Sequence, residues 1–210
     1  MSRRVLLLAL GPVLVLVVIA GVAIAIARSE PPGAPTGEAT APAPAPVDLV
    51  AARRDAGIAE CPTTDPGASA RPDGLPDVTL PCIDGTGEVR LSALRGKPMI
   101  VNLWATWCGP CREEAPHLAA FATVAGDEVQ LIGIDVDDPD PAGAIRFARA
   151  SQWTWPQLAD RRGALRGDLG QAIPQTLFVT GDGRVVHRKL GAFASLDELR
   201  ALSAEYLGVR

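Results

Sequence analysis

Short apolar runs alternate with helical patterns in the second half of this 210-residue chain. PMIVNLWA, EVQLIGIDV and QTLFVT are apolar runs too short for helices of their own, so they predict buried strands. WPQLA indicates one more strand. RVVHRKL follows the turn residues Gly181, Asp182 and Gly183, and it predicts a hairpin partner for QTLFVT.

Helical spacing fills the gaps between these runs. Gly126 stands where a C-terminal cap is expected for a helix after PMIVNLWA, and Asp140 with Pro141 is typical of a helix start. Ser195 with Glu198 has the pattern of a capping box that opens a terminal helix. Upstream, two short apolar runs flank DGTG and predict an N-terminal β-hairpin. Together these elements predict a three-layer α/β domain with a central mixed β-sheet over residues 74–210.

The first 28 residues are much more apolar than the rest. Arg3 and Arg4 precede an uncharged run, residues 5–27, that as a helix is long enough to cross a hydrocarbon core of about 30 Å. We therefore expect residues 1–28 to form a transmembrane anchor; a signal segment cleaved after Ala27 is the alternative. The two arginines predict a cytoplasmic N-terminus and an extracytoplasmic domain at the cell membrane.

Within residues 29–73, the first part, residues 30–47, shows no periodic pattern. This Pro- and Ala-rich part predicts an extended linker of about 3.1 Å per residue, followed by a transitional segment. The net charge of -4, without a stripe of Arg and interleaved aromatic residues, argues against nucleic acid as a partner. Since thiols tend to pair outside the cytoplasm, export also changes how the four cysteines are interpreted.

Two of these cysteines lie in the sequence NLWATWCGPCREEAP. Cys108 falls at the expected N-terminus of a helix, where unpaired N–H groups and the helix dipole stabilise a thiolate. Cys111 lies one turn further along, so the two can close a small disulfide. Pro110 suits the first helical turn, and Gly109 is expected to free the chain around an exposed sulfur. The arrangement predicts a pair that cycles between dithiol and disulfide.

Other uses of a Cys-x-x-Cys pair fit less well. A zinc site would need a second such pair, and His117 and His187 lack ligand-like spacing, so no metal is expected. A haem attachment motif needs His where Arg112 stands. A permanent structural disulfide is the main alternative, and the strand-then-helix context favours redox activity over it.

The sequence IVNLWATWCGPCREEAP, the segment AIPQT before a strand, and the closing hairpin and helix resemble the thioredoxin fold. The chain also resembles the membrane-anchored TlpA/ResA branch of extracytoplasmic thiol-disulfide oxidoreductases. The features that carry this resemblance are the apolar N-terminal segment, LSALRGKP, Glu114 and an additional segment of about residues 137–160, which is expected to hold one inserted helix. The resemblance covers about residues 74–210.

This resemblance implies a role for each matching residue. Cys108 is then the attacking cysteine, Cys111 the resolving one, and Pro174 a cis-proline that faces them. The backbone of Ile173 would lie beside the sulfurs, where an extended substrate segment can pair with it. The alternative for Pro174 is an ordinary proline at a strand entry.

The four tryptophans bear mainly on packing. Trp107 is expected to shield the site and Trp104 to fill the core. Trp153 and Trp155 alternate in an expected edge strand or loop, where they either line a partner surface or pack inside.

Asn102 departs from the pattern of cytoplasmic thioredoxins, which have a buried Asp six residues before the first cysteine. An amide carries no acidic proton, so another acid is needed. Glu114 lies three residues after Cys111 on the same helix face, whereas Glu113 points nearly opposite. Because apolar surroundings raise the pKa of a carboxyl, we expect Glu114 to assist deprotonation of Cys111. The alternative is a partly solvated helix residue.

Cys61 and Cys82 are the other two cysteines. The simplest interpretation is a structural disulfide, which in the chain-entropy model stabilises the domain by about 3 kcal/mol. A second redox pair that exchanges with Cys108 is the alternative.

The residues predict a monomeric thiol-disulfide oxidoreductase with the Cys108–Cys111 disulfide in place of a cofactor, and the resemblance implies that it reduces disulfides of exported proteins. The resemblance implies apocytochrome c as a client and a membrane thiol transporter as electron donor. A disulfide-donating oxidase, a thiol peroxidase and a copper carrier are alternatives. Ala105 stands where peroxiredoxins place Thr, and only two Met and two His are present as further soft-metal ligands.

Overall fold

The structure is a computed structural model that describes residues 46–209. The strands are β1 (Thr79–Pro81), β2 (Glu88–Arg90), β3 (Met99–Trp104), β4 (Gln130–Val136), β5 (Gln157–Asp160), β6 (Gln175–Val179) and β7 (Val185–Leu190). The α-helices are α1 (Leu49–Asp55), α2 (Gly109–Ala125), α3 (Pro141–Ala150), α4 (Arg166–Leu169) and α5 (Leu196–Leu207). Each strand that the apolar runs predict is present.

A five-stranded mixed sheet in the order β5-β4-β3-β6-β7 forms the centre of the fold. Strands β3, β4 and β5 run parallel, whereas β6 is antiparallel to β3 and to β7. All six residues of β3 are buried, as expected for a strand covered on both faces. The prediction of a central mixed sheet is therefore confirmed.

The two faces of this sheet are covered differently. Helices α2, α3 and α5 contribute buried residues to a core on one face, which also contains Ile100 and Trp104 of β3. The other face, with Val101 and Leu103, packs against the β1–β2 hairpin and the short helix α4. The prediction of an N-terminal hairpin is confirmed. The inserted helix α3 lies on the same face as α2, and the third layer consists of the β1–β2 hairpin and the short helix α4.

The helix ends follow the expected chemistry with two differences. Gly126 ends α2 with a φ of 51°, a left-handed value that favours glycine. The side chain of Asp140 makes no capping hydrogen bond to α3, although Asp140 does occupy the N-cap. Ser195 Oγ accepts from the N–H of Glu198 as predicted, but the Glu198 carboxylate accepts from Ala194 rather than from Ser195.

Residues 46–73 belong to the folded unit, although the sequence analysis places them in the linker and transitional segment. The compact unit begins at Pro46, and α1 carries Arg53 into a buried position. Arg53 Nε donates to Asp84 Oδ2 at 2.5 Å, and Arg53 Nη1 donates to the carbonyl of Ile58 at 2.6 Å. This pairing joins residues 31 positions apart, so no local pattern reveals it. The domain therefore starts earlier than the predicted boundary at residue 74.

The predicted anchor or signal segment, residues 1–28, lies outside the described residues. Within residues 46–209, no helix is long and apolar enough to span a bilayer.

The Arg53–Asp84 pair gives a stability prediction. In Arg53→Met the buried Asp84 carboxylate loses its charged partner, so we expect the free energy of unfolding to fall by about 3 kcal/mol. Urea denaturation of the oxidised protein measures the change. Arg54→Met is the matched control, since Arg54 follows it on α1 and is exposed. Equal stability of the two variants would contradict a structural role for the pair.

Candidate active site

Cys108 and Cys111 are joined by a disulfide at the N-terminus of α2, with an S–S distance of 2.05 Å. Cys108 is the N-cap residue, and its Sγ accepts from the backbone N–H of Cys111 at 3.2 Å. Pro110 occupies the first helical turn as expected. Because helix N-terminal N–H groups stabilise an anion, the position favours a thiolate at Cys108 once the disulfide is reduced.

The surroundings of Cys108 differ in two respects from what the sequence suggests. Cys108 is only 4% exposed in the disulfide form, whereas the neighbouring Trp107 is 56% exposed and projects to solvent. Gly109 does not need a glycine conformation. A Cβ placed there would come no closer than 3.8 Å to Arg112 Nη2.

A pair of charged side chains holds the loop that leads into Cys108. The carboxylate of Asp138 accepts from the Thr106 N–H at 3.1 Å and also from the Thr106 hydroxyl. On the other side, Arg112 Nη1 donates to the Thr106 carbonyl at 2.8 Å. Sequence reasoning missed this clamp because Asp138 is 32 residues from Thr106 and carries no motif.

The Ile173–Pro174 peptide bond is cis, as the resemblance implied. The Pro174 carbonyl accepts from the Gly191 N–H at 2.9 Å, and Gln175 Nε2 donates to the Ala172 carbonyl at 2.9 Å. Ile173 is half-buried and packs against the same core that contains both cysteines. The segment is therefore hydrogen-bonded to Gly191, which follows β7, and to the Gln175 side chain of β6.

Glu114 has no exposed surface, although it is a carboxyl on a helix. Asn102 Nδ2 donates to Glu114 Oε1 at 2.9 Å, and the Phe193 N–H donates to Oε2 at 3.1 Å. Burial raises the pKa of Glu114 to about 7, and these two hydrogen bonds oppose part of that rise. The partly solvated alternative is wrong. A carboxyl with this pKa can both accept and donate a proton near neutral pH.

Asn102 links Glu114 to the centre of the sheet. Its Nδ2 donates to Thr176 Oγ1 at 3.0 Å as well as to Glu114, and Asn102 and Thr176 are directly opposite each other in the β3–β6 ladder. Asn102 Oδ1 is buried and has no hydrogen-bond partner within residues 46–209. The amide therefore presents its donors to the carboxyl.

Asp135 is a second buried acid that sequence reasoning missed. It is fully buried near the end of β4, opposite Trp104, and neither carboxyl oxygen has a hydrogen-bond partner in the described part of the chain. Burial, and then the charge of Asp138, raise the pKa of Asp135 to about 8, while Arg161 opposes the rise. The sequence signal is an Asp near the end of the apolar stretch LIGIDV.

The remaining tryptophans belong to the core. Trp104 is fully buried and donates from Nε1 to Gln157 Oε1 at 3.1 Å. Trp153 donates from Nε1 to the Ala115 carbonyl on α2 at 3.2 Å and stacks at a tilt on Trp155, with ring centroids 5.2 Å apart. Of the two interpretations left open by the sequence, core packing is the one observed for Trp153 and Trp155.

Cys61 and Cys82 form the second disulfide, so all four cysteines are paired. Cys82 is buried, and its backbone bridges to Leu158 of β5. The bond ties the segment after α1 to the hairpin. Across residues 46–209, no three metal-ligating side chains come together in one place.

A disulfide at a helix N-terminus, directly after the central strand of a mixed sheet, defines the class of thioredoxin-like thiol-disulfide oxidoreductases. Residues 73–188 match the model of the AhpC/TSA family, and the chain belongs to this family.

Similar proteins agree with this class. DsbE, a thiol:disulfide interchange protein of Pseudomonas fluorescens biotype C, is 31% identical over 133 residues, which are 63% of this chain and 73% of that protein. The thiol-disulfide oxidoreductase ResA of Geobacillus thermodenitrificans is 29% identical over 58% of this chain and 70% of that protein. In a DsbE homolog of Paracoccus denitrificans the matched stretch spans only 53% of the relative's length.

Among solved structures, a secreted Mycobacterium tuberculosis disulfide oxidoreductase homologous to E. coli DsbE superposes with a TM-score of 0.54 at 26% identity. The match covers 61% of this chain and 96% of that one. The thioredoxin-like fold and the thiol-disulfide oxidoreductase class are thus established for this chain.

The buried Asp135 leads to a prediction on pH and stability. In the folded protein the Asp135 carboxyl keeps its proton up to about pH 8, whereas in the unfolded chain it loses the proton near pH 3.8. The free energy of unfolding therefore falls as the pH rises between these two values. In Asp135→Asn we expect a smaller fall in the free energy of unfolding across this range. Urea denaturation of the oxidised protein in steps of pH measures it.

The control for this experiment is Asp127→Asn, because the Asp127 side chain is fully exposed. It should leave the pH dependence unchanged. Glu114 contributes a fall of the same sign up to about pH 7, so some slope will remain in Asp135→Asn. A slope identical to that of the unaltered protein would show that Asp135 is not protonated in the folded state.

Proposed function

We propose that the protein reduces disulfides of exported proteins on the extracytoplasmic side of the cell membrane, through a dithiol-disulfide cycle of Cys108 and Cys111. The observation that carries the proposal is the Cys108–Cys111 disulfide at the start of α2, with a buried Glu114 one turn beyond Cys111. The names of the DsbE and ResA relatives, which describe thiol-disulfide interchange and oxidoreduction, support the same chemistry.

The cycle starts from the dithiol form. The Cys108 thiolate, stabilised by the N-terminus of α2, attacks one sulfur of the client disulfide and forms a mixed disulfide. The first client thiolate leaves and takes a proton from water. Cys111 then attacks Cys108 Sγ, closes the enzyme disulfide and releases the second client thiolate. Two electrons pass to the client, and the enzyme pair is oxidised.

Glu114 supplies the proton chemistry of the second step. Cys111 is completely buried and must lose its proton before it can attack. Glu114 lies three residues further along the same helix, and its pKa of about 7 allows its carboxylate to take that proton. Asn102 provides no acid, so it orients the carboxyl instead.

Clients are recognised beside the sulfurs. Trp107 is the large exposed side chain next to Cys108, and an extended client segment pairs with the backbone at Ile173, before Pro174. Apocytochrome c is the proposed client, and a membrane thiol transporter returns electrons to the enzyme. The protein works as a monomer held by residues 1–28 as a membrane anchor, and Cys61–Cys82 is a structural disulfide.

The redox equilibrium of Cys108 and Cys111 against glutathione tests the direction of electron flow. We expect a reduction potential below about -260 mV, which is lower than the cytosolic glutathione pool measured by extraction. Peptide mapping resolves this pair from Cys61–Cys82, which should stay oxidised at potentials that reduce the active pair. A potential near the -120 mV of strong oxidants would instead identify a disulfide-donating oxidase.

The role of Glu114 is tested by Glu114→Gln. We expect Cys111 to close the mixed disulfide about 100-fold more slowly, because it loses its proton acceptor. The inflection of this rate near pH 7, which reports the pKa of Glu114, should also disappear. Stopped-flow fluorescence follows the reaction with a small-molecule disulfide bound to Cys108. Glu113→Gln, at an exposed position of the same helix, is the control, and an unchanged pH profile in Glu114→Gln would refute the role.

A further inference from the structure

A row of polar side chains crosses the sheet beneath Glu114. Asn102, Thr176 and Lys189 are directly opposite one another on β3, β6 and β7. Asn102 Nδ2 donates to both Thr176 Oγ1 and Glu114 Oε1, which joins the carboxyl to the inner end of this row. Lys189 forms the outer end of the row and has a side chain only 15% exposed.

Lys189 holds the loop that binds Glu114. Its Nζ donates to the Ala192 carbonyl at 2.9 Å and to the Gly191 carbonyl at 3.3 Å. It also lies 5.1 Å from the ring centroid of Phe193. The next N–H along the chain, that of Phe193, is the one that donates to Glu114 Oε2. The ammonium group therefore sets the position of a hydrogen-bond donor to the buried carboxyl.

Glu198 completes the arrangement from the first turn of α5. Its Oε1 lies 3.3 Å from Lys189 Nζ, and its Oε2 accepts from the Ala194 N–H at 2.7 Å. Carbonyl and N–H groups of the loop of residues 191–194 thus bind different side chains. Two carbonyls face Lys189, the N–H of Phe193 faces Glu114, and the N–H of Ala194 faces Glu198. The loop of residues 191–194 therefore connects the carboxyls of Glu114 and Glu198 with the ammonium group of Lys189.

We propose that Lys189 and Glu198 are positioning residues that set the proton affinity of Glu114. The proposal rests on the role of Glu114 given under the proposed function. Among the groups that face Glu114, Asn102 and Thr176 are neutral, and the cysteine pair lies on its own helix. Lys189 from β7 and Glu198 from α5 supply opposite charges. The ammonium lowers the pKa of Glu114, and the Glu198 carboxylate raises it.

The test is a pH titration of the Glu114 side-chain carboxyl by carbon-13 NMR in the full-length oxidised protein. Lys189→Met should raise the pKa of Glu114 by at least about one unit, because at an effective dielectric constant of about 20 one lost charge still counts for about one unit at roughly 12 Å. Glu198→Gln keeps an acceptor for the Ala194 N–H but removes the negative charge, so it should lower that pKa. Lys189→Arg should stay close to the unaltered protein.

The opposite directions of the two expected pKa shifts distinguish an effect of charge from an effect of altered packing. A loosened loop would admit water and shift the pKa in the same direction in both variants, which would overturn the proposal, as would no shift in either. Lys97→Met is the matched control, because Lys97 forms an exposed ion pair with Asp127 at 3.4 Å and should change nothing.

The same variants also separate this inference from the role of Glu114 in the cycle. If Glu114→Gln leaves the pH profile of Cys111 unchanged, the role of Glu114 fails, whatever the titration of its carboxyl shows. If that profile changes but Lys189→Met and Glu198→Gln leave the pKa of Glu114 unmoved, only the positioning role of Lys189 and Glu198 is refuted.

Discussion

A carboxyl without exposed surface links the active-site helix both to the central strand and to the loop before α5. Glu114 on α2 accepts hydrogen bonds from Asn102 on the central strand and from the Phe193 N–H before α5. Burying a carboxyl is costly unless its oxygens are bonded, and each oxygen here has a donor. The helix that presents Cys108 is therefore held at one defined depth and rotation against the sheet. Proton chemistry and the geometry of the cysteines depend on the same contact.

The sequence predicted those features whose signals are local. Apolar runs indicated the strands, Cys108 and Pro110 marked a helix start, and the absence of an acid at Asn102 pointed to Glu114. Burial of Glu114 could be expected because helical spacing places it on the face of Cys111. In each case the residues that carry the signal lie within about a dozen positions of one another.

The features that were missed depend on contacts between distant residues. Asp138 reaches Thr106 across 32 positions, and Arg53 pairs with Asp84 across 31, so neither charge looks different from a solvated one in the sequence. For the same reason the domain boundary was placed too late. A polar segment such as residues 46–73 is recognised as part of a domain only when its partners are known.

The attachment of that segment has a mechanical consequence. Any pull on the chain from residues 1–45 enters the domain at α1, where Arg53 is bonded to Asp84 of the β1–β2 turn. The Cys61–Cys82 bond passes the force directly into the hairpin and, through Cys82, to the edge strand β5. Strand β5 is in turn paired with β4, and Leu49 and Ala52 of α1 pack on the core that contains Cys108 and Cys111. Tension applied at the N-terminus would therefore be shared between the edge of the sheet and the core beneath the reactive disulfide.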